Sequence, residues 1–175
     1  MNITLEKMID FLLEIGMFEP LTVEELSEVL TIIDIQPYRE GQEVFSEGDV
    51  GDAWYVVYSG SVSVRTHKPF QADRSVAILD KGSIFGEMAI LDEGARSATV
   101  IAQEESLLFR FPRTRFERLL EQSKIGAYKL VYGMACVLVE RQRVVNQILA
   151  EYKEQEAQQM DDFPPDEYTV ECDEE

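Results

Sequence analysis

Apolar positions Leu5, Met8, Ile9, Leu12 and Leu13 recur at helical spacing and predict a helix over residues 5–16. The break Gly16-Met17-Phe18-Glu19-Pro20 ends it. Thr22 followed by Glu25 reads as a capping box, and a second helix is expected over 22–34. From about residue 35 to 112 the period falls to two. Ile35–Tyr38, Glu43–Phe45, Ala53–Tyr58, Ser61–Arg65, Ser75–Leu79, Ala98–Ala102 and Ser106–Phe111 are short β-rich runs. Gly41, Gly48-Asp49, Gly51-Asp52, Gly60 and Gly82 punctuate them. Many short strands with turn signals every eight to twelve residues imply a sandwich or barrel. The one helical interruption falls at residues 86–92.

After Pro112 the helical period returns, over 113–122 and then over about 125–157. In the longer stretch Ala127, Val131, Met134, Leu138, Arg141, Val145, Ile148 and Tyr152 alternate spacings of three and four. That is an a/d seam. It has two readings: a parallel homodimer, or a stripe that covers the domain's own core. Arg141 is the charged member, to be paired on a partner helix or turned toward a ligand. Residues 158–175, mostly acids with Pro164-Pro165, read as a disordered acidic tail. The expected division is therefore an N-terminal helical segment at 1–34, a β-roll at 35–112, C-terminal helices at 113–157 and the tail at 158–175.

Charge narrows the set of partners. The net charge is −18, with −10 of it on residues 151–175. DNA affinity rests on Lys and Arg neutralising phosphates, and acidic lipid surfaces make the same demand, so neither DNA nor membrane is an expected partner. No apolar run approaches the roughly 18–20 residues of a membrane span, and the N-terminus lacks the pattern of a secretion signal. Cys136 and Cys172 do not form a disulfide framework, and Cys136 in an apolar helical stretch reads as a buried free thiol. A cytoplasmic location fits these features. His67, the sole histidine, stands beside Lys68-Pro69 in an expected hairpin loop, and no metal or catalytic set can be built around it.

The strongest candidate chemistry lies in the segment from Phe85 to Val100, Phe-Gly-Glu-Met-Ala-Ile-Leu-Asp-Glu-Gly-Ala-Arg-Ser-Ala-Thr-Val. A glycine turn leads into a short helix start, where unpaired backbone N–H groups favour an anion. Arg96, ten residues after Gly86, can return over the same spot and offer two N–H groups to one phosphate. Glu87 would repel a phosphate but can accept from sugar hydroxyls. Its alternative is a helix cap. Ser97 stands between a phosphate contact and a bond to local backbone. One phosphate plus one ribose hydroxyl describes a nucleotide.

These elements resemble the cyclic nucleotide-binding domain family. Gly41-Gln42-Glu43-Val44-Phe45-Ser46-Glu47-Gly48-Asp49, then Trp54–Val64, then Gly82, then 85–100 follow the family's order and spacing over residues 5 to about 150. The resemblance implies a mainly β fold: an eight-stranded antiparallel jelly-roll barrel with N-terminal helices, a short phosphate-cassette helix and a long C-terminal helix. It implies ligand contacts from Gly86, Glu87, Met88, Ala89, Arg96 and Ser97. Of these, Glu87 would take the ribose 2′-OH, and Arg96 with the N–H groups of Gly86 and Ala89 the phosphate. Val64, Val76 and Phe85 would form the apolar wall. The family's long helix covers the base, which makes Arg141 and Gln142 candidates for the base edge. Ala95 departs from the family, which usually has proline before the arginine.

The expected function is a non-enzymatic sensor for cyclic AMP, with cyclic GMP second, using no cofactor and no metal. It would signal by conformational change to a protein partner in trans or through its dimer. The competing expectation is a protein-interaction scaffold with a vestigial pocket.

Overall fold

The computed structural model describes residues 3–66 and 74–161. His67 and residues 162–175 lie outside that range. Two compact units emerge, Met1–Ala135 and Cys136–Glu175. The first unit opens with α1 (Leu5–Leu13), capped by the Thr4 hydroxyl, which accepts from the Lys7 N–H. Helix α1 stops short of the expected residue 16, because the chain tightens where the Ile15 N–H bonds the Leu12 carbonyl. Helix α2 (Val23–Leu30) has the anticipated capping box, with Thr22 N–H on Glu25 at 2.8 Å and Glu25 N–H on Thr22 at 3.2 Å. It also ends early, and Asp34, expected to be helical, begins the first strand.

Eight strands follow among the described residues: β1 (Asp34–Tyr38), β2 (Glu43–Phe45), β3 (Ala53–Ser59), β4 (Val62–Thr66), β5 (Arg74–Leu79), β6 (Ile84–Phe85), β7 (Thr99–Ala102) and β8 (Ser106–Pro112). They form two antiparallel sheets, in the orders β1-β8-β3-β6 and β2-β7-β4-β5. Pro37 sits on edge strand β1, where a missing N–H costs no ladder bond on the open side. Strand β3 is buried from Ala53 to Val57 because both of its faces are covered. Ala53, Tyr55 and Val57 join Val62, Phe85, Val100 and Leu108 in one core cluster. The alternate residue Trp54 stacks on Phe111 at 3.7 Å and meets Phe18 and Phe116. Alternation along one strand thus feeds two layers.

Helix α3 (Met88–Leu91) interrupts the sheets and is shorter than the 86–92 expected from sequence. Helix α4 (Arg113–Glu121) follows β8 directly. Helix α5 runs Ile125–Asp161, past the expected boundary at 157, so the first residues assigned to the tail are helical. No proline or glycine falls between Gly133 and Asp161. The start of α5 belongs to the first unit. There Ala127, Leu130 and Met134 are fully buried, and Lys129 bonds Glu25 at 2.7 Å. Gly133 allows close approach to Met17, since an added Cβ would lie 2.5 Å from Met17 Cγ. The stripe that covers the domain's own core therefore accounts for the seam through Met134. Cys136 is exposed rather than buried, because two residues further on it has turned away from that stripe. In the second unit Val145, Ile148 and Tyr152 of the seam are exposed, as are Val139, Val144 and Leu149.

Candidate functional site

The segment singled out in the sequence folds around Gly86 and Arg96. Gly86 follows β6 with φ of +76°, a conformation that side chains other than hydrogen resist. Its carbonyl accepts from Arg96 Nη1 at 3.0 Å. Arg96 is held in place from its backbone. Its N–H bonds the Asp49 carbonyl at 2.8 Å, its carbonyl accepts from Gly48 at 2.9 Å, and Val50 bridges to Ala95. The turn at Gly48 is thus clamped to the cassette. Gly51 clamps it again, because an added Cβ there would collide with Ala89 of α3.

The Arg96 side chain is buried, with 1% of its surface exposed. Two kinds of neighbour hold it. The Phe45 ring lies 4.1 Å from the guanidinium carbon, and Tyr55 lies 5.9 Å away, both cation–π contacts. Asp52 Oδ1 receives Nη2 at 3.1 Å. Nε is buried and has no hydrogen-bond partner among the described residues. Burial weakens the guanidinium's hold on its proton, against the opposite pull of Tyr55 and Asp52. A buried arginine with an unspent donor is costly unless something completes it, and two oxygens of an anion such as a phosphate match its planar fork.

The aromatic wall is continuous. Phe85 stacks on Tyr55 with centroids 5.1 Å apart and planes 10° apart, and Phe45 packs on both. Val64 is half-buried against the same cluster, with Ala77 and Val100 as its strand neighbours. Val76 belongs to β5, and its side chain lies outside the described residues.

Glu87 is 1% exposed and makes no side-chain cap on α3, so the cap alternative does not hold. Ala89 is buried, Met88 is half-exposed, and exposed Ser97 donates to the Met88 sulfur at 3.9 Å. Phe85, Gly86 and Arg96 are thus brought together, with Met88 against Ser97. Arg141 and Gln142 stand in the second unit, both exposed, with Gln142 Nε2 donating to Asn146 at 3.0 Å.

Sequence reasoning missed the acid that meets Arg96. Asp52 sits 44 residues away in what read only as a turn. Its Oδ2 accepts from Arg110 Nη2 at 2.6 Å, and Arg110 Nη1 reaches Asp34 at 3.2 Å. Phe45 and Tyr55 were legible only as strand residues. The alternation that puts Tyr55 beside Ala53 and Val57 on the inner face was the available signal.

Two four-stranded antiparallel sheets, with a buried arginine set against a positive-φ glycine, define a mainly β domain. The chain belongs to the cyclic nucleotide-binding domain family, whose model matches residues 35–123. It is 37% identical over 120 residues to the cyclic AMP receptor protein of Thermus thermophilus, covering 68% of this chain and 55% of that protein. The crystal structure of the catabolite activator protein from the same organism has a TM-score of 0.69 and 31% identity, over 78% of this chain and 62% of that one. The regulatory domain of Toxoplasma gondii PKA, co-crystallised with cAMP, has a TM-score of 0.62 and 25% identity, over 73% of this chain and 48% of that one. This chain spans about half the length of the curated receptor it matches. The family is a regulatory one. Among the described residues no helix is long and apolar enough to cross a membrane.

Proposed function

We propose that this protein is a sensor that binds a 3′,5′-cyclic nucleotide, cyclic AMP in preference to cyclic GMP. The observation that carries the reading is Arg96: buried, anchored by Gly86 and Asp49, and left with an unspent Nε–H. The ring phosphate would meet Arg96 and the N–H groups of Gly86 and Ala89, with Ser97 at its rim. Buried Glu87 would accept from the ribose 2′-OH. Val64, Val76 and Phe85 would face the sugar and base, with Met88 on the outer side. The preference for cyclic AMP is supported by the name of the Thermus thermophilus relative and by the cAMP in the Toxoplasma gondii structure.

The two strand orders support reading the sheets as halves of a jelly roll. The protein works, in this reading, without catalysis, cofactor or metal, in the cytoplasm and apart from DNA. Ligand would shift a population of cassette and helix conformations. The output would pass to a protein partner in trans or through a homodimer. The exposed apolar residues Val139, Val144, Val145, Ile148, Leu149 and Tyr152 favour a second copy packed along α5.

Calorimetry with cyclic AMP, cyclic GMP and 5′-AMP tests the reading. The expected order of affinity is cyclic AMP, cyclic GMP, 5′-AMP. No heat and no thermal shift at millimolar cyclic nucleotide would leave the protein a scaffold with a vestigial pocket.

A further inference from the structure

Five side chains run in a line from the cassette to α4. Arg96 meets Asp52, Asp52 meets Arg110, Arg110 meets Asp34, and Asp34 meets Arg115 at 2.7 Å. Three guanidinium groups thus share two carboxylates. The contacts are unequal. Asp52 lies closer to Arg110, at 2.6 Å, than to Arg96, at 3.1 Å. Arg110 is also held on its other side by Asp34. Its side chain is only 18% exposed, whereas that of Asp52 is 62% exposed. The exposed member of the chain is therefore Asp52, and the more buried member is Arg110.

A phosphate that takes Arg96 arrives beside the Asp52 carboxylate. Like charges at that spacing repel, and a carboxylate stripped of one cation would oppose binding. A second cation that already holds the same carboxylate removes the conflict. We propose that Arg110 is a positioning residue for ligand binding: it receives the Asp52 carboxylate when Arg96 passes to the phosphate, and so sets anion affinity without touching the anion. This rests on the reading of Arg96 as the phosphate ligand. It differs from that reading in placing part of the binding free energy on a residue outside the cassette.

The test is a double-mutant cycle of Asp52→Asn and Arg110→Gln, with thermal melts to establish folding. Cyclic AMP affinity is measured for the parent, both single variants and the double variant. Arg110→Gln in the parent background should weaken binding about tenfold, which is about 1.4 kcal/mol. In the Asp52→Asn background the same change should alter affinity by less than twofold. Arg110→Lys, which keeps one positive charge for Asp52, should restore affinity to within about threefold of the parent, an outcome that lost packing alone would not give. Equal losses in both backgrounds, or no loss in either, overturn the proposal and leave the sensor reading in place.

The same proteins are titrated with inorganic phosphate while the Arg96 Nε–H resonance, assigned by its loss in Arg96→Lys, is followed by NMR. If no cyclic nucleotide binds but phosphate moves this resonance with the pattern above, the sensor reading falls and the exchange stands. If neither ligand moves it, both fall.

Discussion

A Cβ placed on Gly86 would lie 2.8 Å from Nη1 of Arg96, the same nitrogen that donates to the Gly86 carbonyl at 3.0 Å. The glycine is thus the floor on which the guanidinium rests. Its φ of +76° adds a second reason for the absence of a side chain. Gly86→Ala should cost about 1–2 kcal/mol in backbone conformation and push the guanidinium off its carbonyl. Cyclic AMP affinity should fall at least tenfold while circular dichroism stays that of the parent. Unchanged affinity would separate the glycine from the site.

Ala95 takes the place where proline is usual in the family the chain belongs to, and the structure supplies a substitute for proline's stiffness. The Arg96 N–H bond to Asp49 pins the residue that follows, and Val50 bridges to Ala95 itself. That bond places Ala95 at a non-hydrogen-bonded position of the bridge, so its own N–H serves no ladder bond. Ala95→Pro should therefore stabilise the fold by about 0.4–1 kcal/mol through the unfolded chain. A rise of roughly 1–4 °C in melting temperature is expected. A fall would mean that the clamp depends on freedom at this residue.

Tyr38 stands on β1 near Tyr55, Asp52 and Arg110. Burial, with Tyr55 and Asp52 adding to it and Arg110 opposing, pushes its phenol up to about 12. The folded value exceeds the unfolded one of about 10. The stabilisation is therefore fully present below about pH 10 and is lost as pH rises from there toward about 12. Tyr38→Phe should show a smaller drop in melting temperature over that window than the parent. An identical drop would place the alkaline sensitivity elsewhere.

How much of this was legible follows from range. The capping box at Thr22 and Glu25, the period-two runs, and Gly86 with Arg96 are local patterns, and each stands where the sequence put it. The partner of Arg96 was not legible. Asp52 reaches it only because the turn at Gly48 is laced to the cassette, and nothing near Asp52 in sequence marks it as different from any turn aspartate. Cys136 failed for a related reason. An apolar neighbourhood in sequence says nothing about which side of a helix is covered, and the covered side is set by Met17 and Glu25, more than a hundred residues earlier. The apolar pattern over 22–34 overruns the helix, because Ile32, Ile33 and Ile35 continue it across the change of element.

The seam on α5 divides at Met134, before which it is covered and beyond Leu138 exposed. A second copy packed along that length would bury Val145, Ile148 and Tyr152. Val145→Glu with Ile148→Glu should convert a dimer to a monomer in sedimentation at micromolar concentration, with melting of the β-rich unit unchanged. A parent that sediments as a monomer at every concentration would remove the dimer from the account.

The account turns on the Arg96 guanidinium as the grip on a ring phosphate, and titration calorimetry of cyclic AMP into the parent and Arg96→Ala tests this most directly. The parent should bind, and the variant, folded by circular dichroism, should lose at least about a hundredfold in affinity, or about 2.7 kcal/mol, in line with the loss of one buried charged partner. Binding by Arg96→Ala as tight as the parent's would contradict it.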